Sequence, residues 1–181
     1  MRTKLLCRLA PGPALLGAVL ALVAGAALAT SAPPDRVSVT WAPTQQLTEV
    51  KDNPMQRGWL RPEEWEHQLG DHLRRRADRV LAPGERLDVR IDDIKLAGAF
   101  EPWHMRPGME DVRIMKDIYP PRIDLHYRLI ASDGSTIREG DAKLRDQAYL
   151  QRATAANTTD PLRFDKRMID DWLRHEFGRK G

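Results

Sequence analysis

The chain has 181 residues, 29 of them Lys or Arg and 26 Asp or Glu, with a formal net charge of +3 and a pI near 9.2. Arg2, Lys4 and Arg8 supply the whole of that excess, and they precede an apolar stretch that is densest from Ala14 to Ala29. If that segment is removed the remainder is formally neutral, which excludes the basic character expected of a nucleic-acid binder or an anionic-membrane binder.

The start of the chain has the three parts of a secretory signal: a basic beginning, an apolar core, and Ala27-Leu28-Ala29 with small residues at the two cleavage-site positions. The core is broken by Pro11 and Pro13 and runs to fewer than the roughly 20 residues of a spanning helix. Cleavage after Ala29 is therefore expected, with an uncleaved anchor as the alternative. Cys7, the one cysteine, leaves with this segment and takes with it any disulfide, thiol nucleophile or thiolate metal site. The expected organisation is a signal peptide over 1–29, a flexible leader over 30–36 and a single α+β domain over 37–178, located in the periplasm with no membrane span.

Val37, Val39 and Trp41 alternate with polar residues and predict a first strand. Residues 45–61 are polar and irregular apart from Leu47, Val50, Met55 and Trp59, and are read as a crossing segment. A helix is predicted from Pro62, a favoured first-turn residue, with Glu63 and Glu64 at its positive end. Trp65, Leu69, Leu73, Ala77, Val80 and Leu81 form its apolar stripe, and Pro83-Gly84 ends it. Leu87, Val89 and Ile91 predict a second strand whose phase slips at Asp92-Asp93, the mark of a bulge. A proline- and glycine-bearing connection follows, then a short strand at Val112 and Ile114. Ile123, Leu125, Tyr127 and Leu129 alternate in a long strand, Ser132-Asp133-Gly134-Ser135 reads as a hairpin turn, and the polar return strand to Leu144 is expected at an edge. The last helix is expected to have Asp160 as N-cap and Pro161 in its first position, burying Leu162, Ile169, Trp172, Leu173 and Phe177.

Two amphipathic helices and a sheet with one apolar face make an α+β two-layer sandwich: a mostly antiparallel sheet of about four or five strands, with both helices packed on one face. The opposite face then presents Asp88, Arg90, Asp124, His126 and Arg128.

Four segments carry a resemblance: LAGAFEPW (Leu96 to Trp103), DVRIMKDIYPPRIDLHYRL (Asp111 to Leu129), KLRDQAYL (Lys143 to Leu150) and TDPLRFDKRMIDDWLRHEF (Thr159 to Phe177). Together they resemble the secreted bacterial family called domain of unknown function 3016, and KDIYPPRIDL is the most specific part. The resemblance implies an exported domain and carries no catalytic or cofactor role onto any position.

The residues themselves point to no catalytic group, no cofactor and no dedicated metal site. His67 and His72 are five apart and do not share a helix face, whereas His67 and Asp71 can meet. Ser31, Ser38, Ser132 and Ser135 stand in no nucleophile elbow. The segment with most functional content is a proline-stiffened corner of aromatic and charged groups: Trp103, His104, Asp111, Arg113, Lys116, Asp117, Tyr119, Arg122 and Asp124. It reads either as a preorganised binding corner or as a structural corner tying a loop to the sheet. The leading expectation is a periplasmic binding or accessory protein of the envelope, non-enzymatic, whose partner is an envelope protein or a small polar ligand. The alternative is a hydrolase or metal-dependent enzyme acting on an envelope substrate.

Overall fold

The computed structural model describes residues 36–53, 59–101, 112–152 and 159–178. Strand β1 (Val37–Trp41) leads through a 3₁₀ turn (Thr44–Gln46) and a short helix α1 (Thr48–Asp52) to the long helix α2 (Pro62–Val80). Strand β2 (Arg86–Lys95) follows, then two-residue strands β3 (Ala99–Phe100) and β4 (Arg113–Ile114), the long hairpin β5 (Arg122–Ile130) and β6 (Thr136–Arg145), and helix α3 (Arg163–Phe177). The main sheet has the order β1-β2-β5-β6, with only β1 parallel to its neighbour, and β3 and β4 form a separate antiparallel pair. This is the expected α+β architecture.

Period-2 patterning places Leu87, Val89, Ile91, Ile123, Leu125 and Tyr127 on the helix-covered face, all buried. The 3.6-residue stripe of α2 meets them with Trp65, Leu69, Leu73 and Ala77, each no more than 1% exposed. From α3 come Met168, Ile169, Trp172 and Leu173. Trp65 packs edge-on against Trp41, with ring centroids 5.7 Å apart, and Trp172 packs the same way against Tyr127. The helices are also joined by polar groups, because Asp170 takes both His72 Nε2 and Arg76 Nε at 2.8 Å. Burial lowers the His72 pKa, and the Asp170 partnership works against that.

Gly134 closes the β5–β6 hairpin at φ +88°, as the turn chemistry requires. Two local expectations change. Residues 44–52 are not irregular: they hold the 3₁₀ turn and α1, with Leu47 and Glu49 fully buried. Helix α3 starts at Arg163 and not at Pro161. Asp160-Pro161-Leu162 makes a turn first, in which Asp160 Oδ1 accepts the Leu162 N–H at 2.9 Å and Oδ2 binds Lys166 Nζ at 2.7 Å.

The phase slip in β2 is a real bulge, between Ile91 and Asp93 against β5. It turns Asp93 toward α1, where its two carboxylate oxygens accept the Thr48 backbone N–H and hydroxyl, both at 2.7 Å. A side chain distant in sequence thus caps a helix too short to hold itself. Asp93→Ala should cost about 1–2 kcal/mol, whereas Asp92→Ala, at an exposed position, should stay within about 0.5 kcal/mol of wild type. Urea denaturation of the two variants separates these outcomes.

Candidate functional site

The corner singled out from sequence is built around a buried ion pair. Arg113 in β4 reaches Glu49 in α1 through two bonds, Nη1–Oε1 at 2.6 Å and Nη2–Oε2 at 3.1 Å, and their side chains are 2% and 0% exposed. The guanidinium also reaches backbone carbonyls: Nε donates to Ala97 O at 2.6 Å, and Nη2 to Leu96 O and Gly98 O. Its plane lies near Trp59 and Phe100, 4.7 and 5.2 Å from the ring centroids. Glu49 Oε2 in turn accepts the Leu96 N–H at 3.0 Å. The carbonyls that Arg113 gathers belong to the turn at Gly98, whose φ is +80° and where an added Cβ would lie 2.7 Å from Ile114 O. Glycine is needed there on both counts.

Beneath this clamp lies a second small core of Ala97, Tyr149 and Phe164, with the two rings edge to face at 4.9 Å. Tyr149 hydroxyl donates to Lys116 O at 2.8 Å, which ties the 116–119 turn down onto it. Asp165, in the first turn of α3, is 1% exposed and accepts the Ala97 N–H at 3.1 Å. Burial pushes its carboxyl up to about 7; Arg113 and the Ala97 bond oppose that, and Glu49 adds to it. One guanidinium balances one carboxylate, so a second buried carboxylate is favoured in its neutral form.

Of the nine corner residues, Trp103, His104 and Asp111 lie outside the described residues. The other six occupy three settings. Arg113 is the clamp. Lys116 and Tyr119 converge on buried Glu101, which accepts both ammonium contacts at 2.7 Å and the phenol at 2.7 Å; that bond raises the Tyr119 pKa. Asp117 and Arg122 are exposed, and Asp124 lies on the open face of β5, paired with Arg145 at 2.6 Å. Sequence reasoning missed Glu49, Glu101 and Asp165.

The open sheet face carries a lattice of ion pairs. Asp88 meets Arg128 at 3.1 Å, and His126 is bonded at Nδ1 by Asp141 at 2.8 Å and at Nε2 by Glu139 at 3.1 Å. Those two bonds raise the His126 pKa. Among the described residues, no group of three His, Cys, Asp or Glu side chains is placed to hold a metal ion, and no helix is long and apolar enough to cross a membrane.

A concavity among the described residues lies elsewhere, between β6 and α3. This open groove has a volume of about 390 Å³, with buried Leu144, Met168 and Trp172 below and Lys143, Arg145 and His175 exposed around it. Arg152 spans to Asp171 at 2.5 Å beside it. The Trp172 indole N–H is buried with no acceptor among the described residues.

Removing Arg113 strands Glu49 in the interior. Arg113→Met should therefore cost about 3–5 kcal/mol in urea denaturation, and adding Glu49→Met should recover part of that loss. Asp165 sets a pH dependence. In the unfolded chain it ionises near its ordinary 3.8, in the folded chain near 7, so between these values only the folded state holds the proton. Its contribution falls by about 1.4 kcal/mol per pH unit as pH rises across that window and is constant above it. Asp165→Asn, which keeps an acceptor for Ala97, should remove that slope when unfolding midpoints are followed against pH.

No curated protein and no solved structure matches the chain. A family model described as "Protein of unknown function (DUF3016)" matches residues 35–175, most of the chain and every described secondary-structure element up to the last turn of α3. The chain belongs to that family.

Proposed function

We propose that the protein is a non-enzymatic accessory protein of the bacterial cell envelope, acting in the periplasm by contact with another polypeptide. The signal-like start of the sequence supports the location. The observation that carries the mode of action is the edge of the sheet at β6, which is ten residues long, has no strand beyond it among the described residues, and lies beside the groove against α3. An open edge offers a row of backbone donors and acceptors to an added strand, and a flanking groove takes its side chains.

The charged groups that suggested chemistry are engaged within the fold. Arg113 is held by Glu49 and backbone carbonyls, and both ring nitrogens of His126 are taken by carboxylates, so neither is free to serve as the acid or base of a hydrolase. Osmotic-shock fractionation should release a protein whose first residue is Thr30. A photoreactive residue at Ile137, half-exposed on β6, should give adducts in living cells, while one at exposed Arg75 of α2 should not. Retention in the cytoplasm, or equal behaviour of the two probes, would overturn the proposal.

A further inference from the structure

We infer that the polypeptide that fits the β6 edge is a second copy of this chain, paired antiparallel about a two-fold axis at Ala142. The inference rests on the reading of β6 as the contact surface and deepens it. The open-face positions of β6 are Glu139, Asp141, Lys143 and Arg145, set opposite Arg128, His126, Asp124 and Arg122 of β5. Their signs are ordered: two acids, then two bases, with Ala142 at the middle. An antiparallel copy centred on Ala142 reads that order backwards. Glu139 then faces the second copy's Arg145 and Asp141 faces its Lys143, and symmetry repeats both contacts, giving four opposite-charge pairs on one face.

No other register does this. A one-residue slip turns the open-face set toward the helices. A two-residue slip puts Asp141 against Asp141 in one direction and Lys143 against Lys143 in the other. On the helix-side face the same register pairs Ala142 with itself and Gly140 with the second copy's Leu144, small against large, beside the groove lined by Met168 and Trp172. Lys143 makes no ion pair among the described residues, and the side chain of Asp141 is 82% exposed, so both remain available across the edge. The acids also suit β5 within one chain, through His126. Arg145 stands opposite Arg122 and reaches Asp124 of β5 diagonally at 2.6 Å, so β5 accommodates the same sign order within one chain, and the antiparallel copy uses it a second time.

The test uses the protein purified in the form that the cell accumulates, with Cys7→Ser if the first residues are retained. Sedimentation equilibrium of the unmodified protein should give a dimer. Ala142→Cys should form a disulfide-linked dimer on mild oxidation, because directly opposed Cβ atoms lie about 4.5–5.5 Å apart. Glu139→Cys should not, since its own copy lies six residues along the strand, about 20 Å away. Lys143→Glu should weaken the dimer roughly tenfold or more, and the exchange Asp141→Lys with Lys143→Asp should restore it, with circular dichroism confirming that each variant folds. A monomer at every soluble concentration, or a dimer that cross-links at position 139 and not at 142, overturns the inference. If the monomer still gives adducts to another envelope protein from Ile137, the proposed function stands without self-pairing; if no adduct forms either, both fall.

Discussion

The interaction on which this fold depends is the buried pair of Glu49 and Arg113. It joins α1, the turn at Gly98 and β4, three segments that share no continuous ladder. A guanidinium removed from water needs acceptors in its place, and here a carboxylate and three backbone carbonyls supply them. The aromatic faces of Trp59 and Phe100 then exclude water from a group that would otherwise draw it in. The pair has a further consequence for α3. With its charge already balanced, Arg113 has little left to stabilise a second anion, so Asp165 is favoured as a neutral group beneath the clamp. Packing of the last helix and the protonation of one carboxyl are thereby linked to an ion pair formed by the first helix.

That arrangement decides what the corner can offer to a ligand. Charge held by five hydrogen bonds is not available for recognition unless the fold opens. The Lys116–Glu101–Tyr119 cluster repeats the pattern closer to the surface, with a buried acid holding two donors. By contrast, the charges of the open sheet face lie in water, where each pair contributes little and can exchange partners. Charged groups along β5, β6 and the adjoining groove are therefore able to meet another molecule, whereas those of the clamp are not. The polar character of the sequence is shared between an internal clamp and an external face that differ in what solvent allows them to do.

Legibility from sequence followed burial and periodicity. Strands β1, β2 and β5 and helix α2 were readable because one face of each is apolar at the correct period. The bulge was readable because Asp92-Asp93 displaces that period by one. Glu49 was not, since a lone carboxylate in an aperiodic stretch looks like solvent-exposed loop, and only Leu47 and Val50 near it hinted at burial. Arg113 was picked out as part of a charged corner, yet its partner is 64 residues away, and no local pattern encodes that distance. The start of α3 was misplaced for a related reason. Asp-Pro satisfies both the N-cap rule and the turn rule, and here Asp160 lies in the turn, its carboxylate bonded to the Leu162 N–H and to Lys166 six residues on.

The edge strand presents the converse problem, a pattern visible in sequence whose meaning depends on tertiary position. In β6 only Leu144 is buried, so the strand is held by its ladder to β5 far more than by apolar burial of its own. Such a strand is stable in water only if its open side is protected from indiscriminate pairing. Here no proline interrupts the open side and no bulge lies between Arg138 and Arg145; what guards it is charge. Charges of mixed and unordered sign would repel most incoming strands alike. Ordered signs do something different: they reject neighbouring registers while admitting one, so protection and selection are the same four side chains. The residue on the axis, Ala142, and Gly140 two positions away are the smallest in the strand, where close approach of two backbones is least obstructed. An edge that is long, guarded by sign and narrow at its centre is a surface specified for one strand, in one orientation and one register.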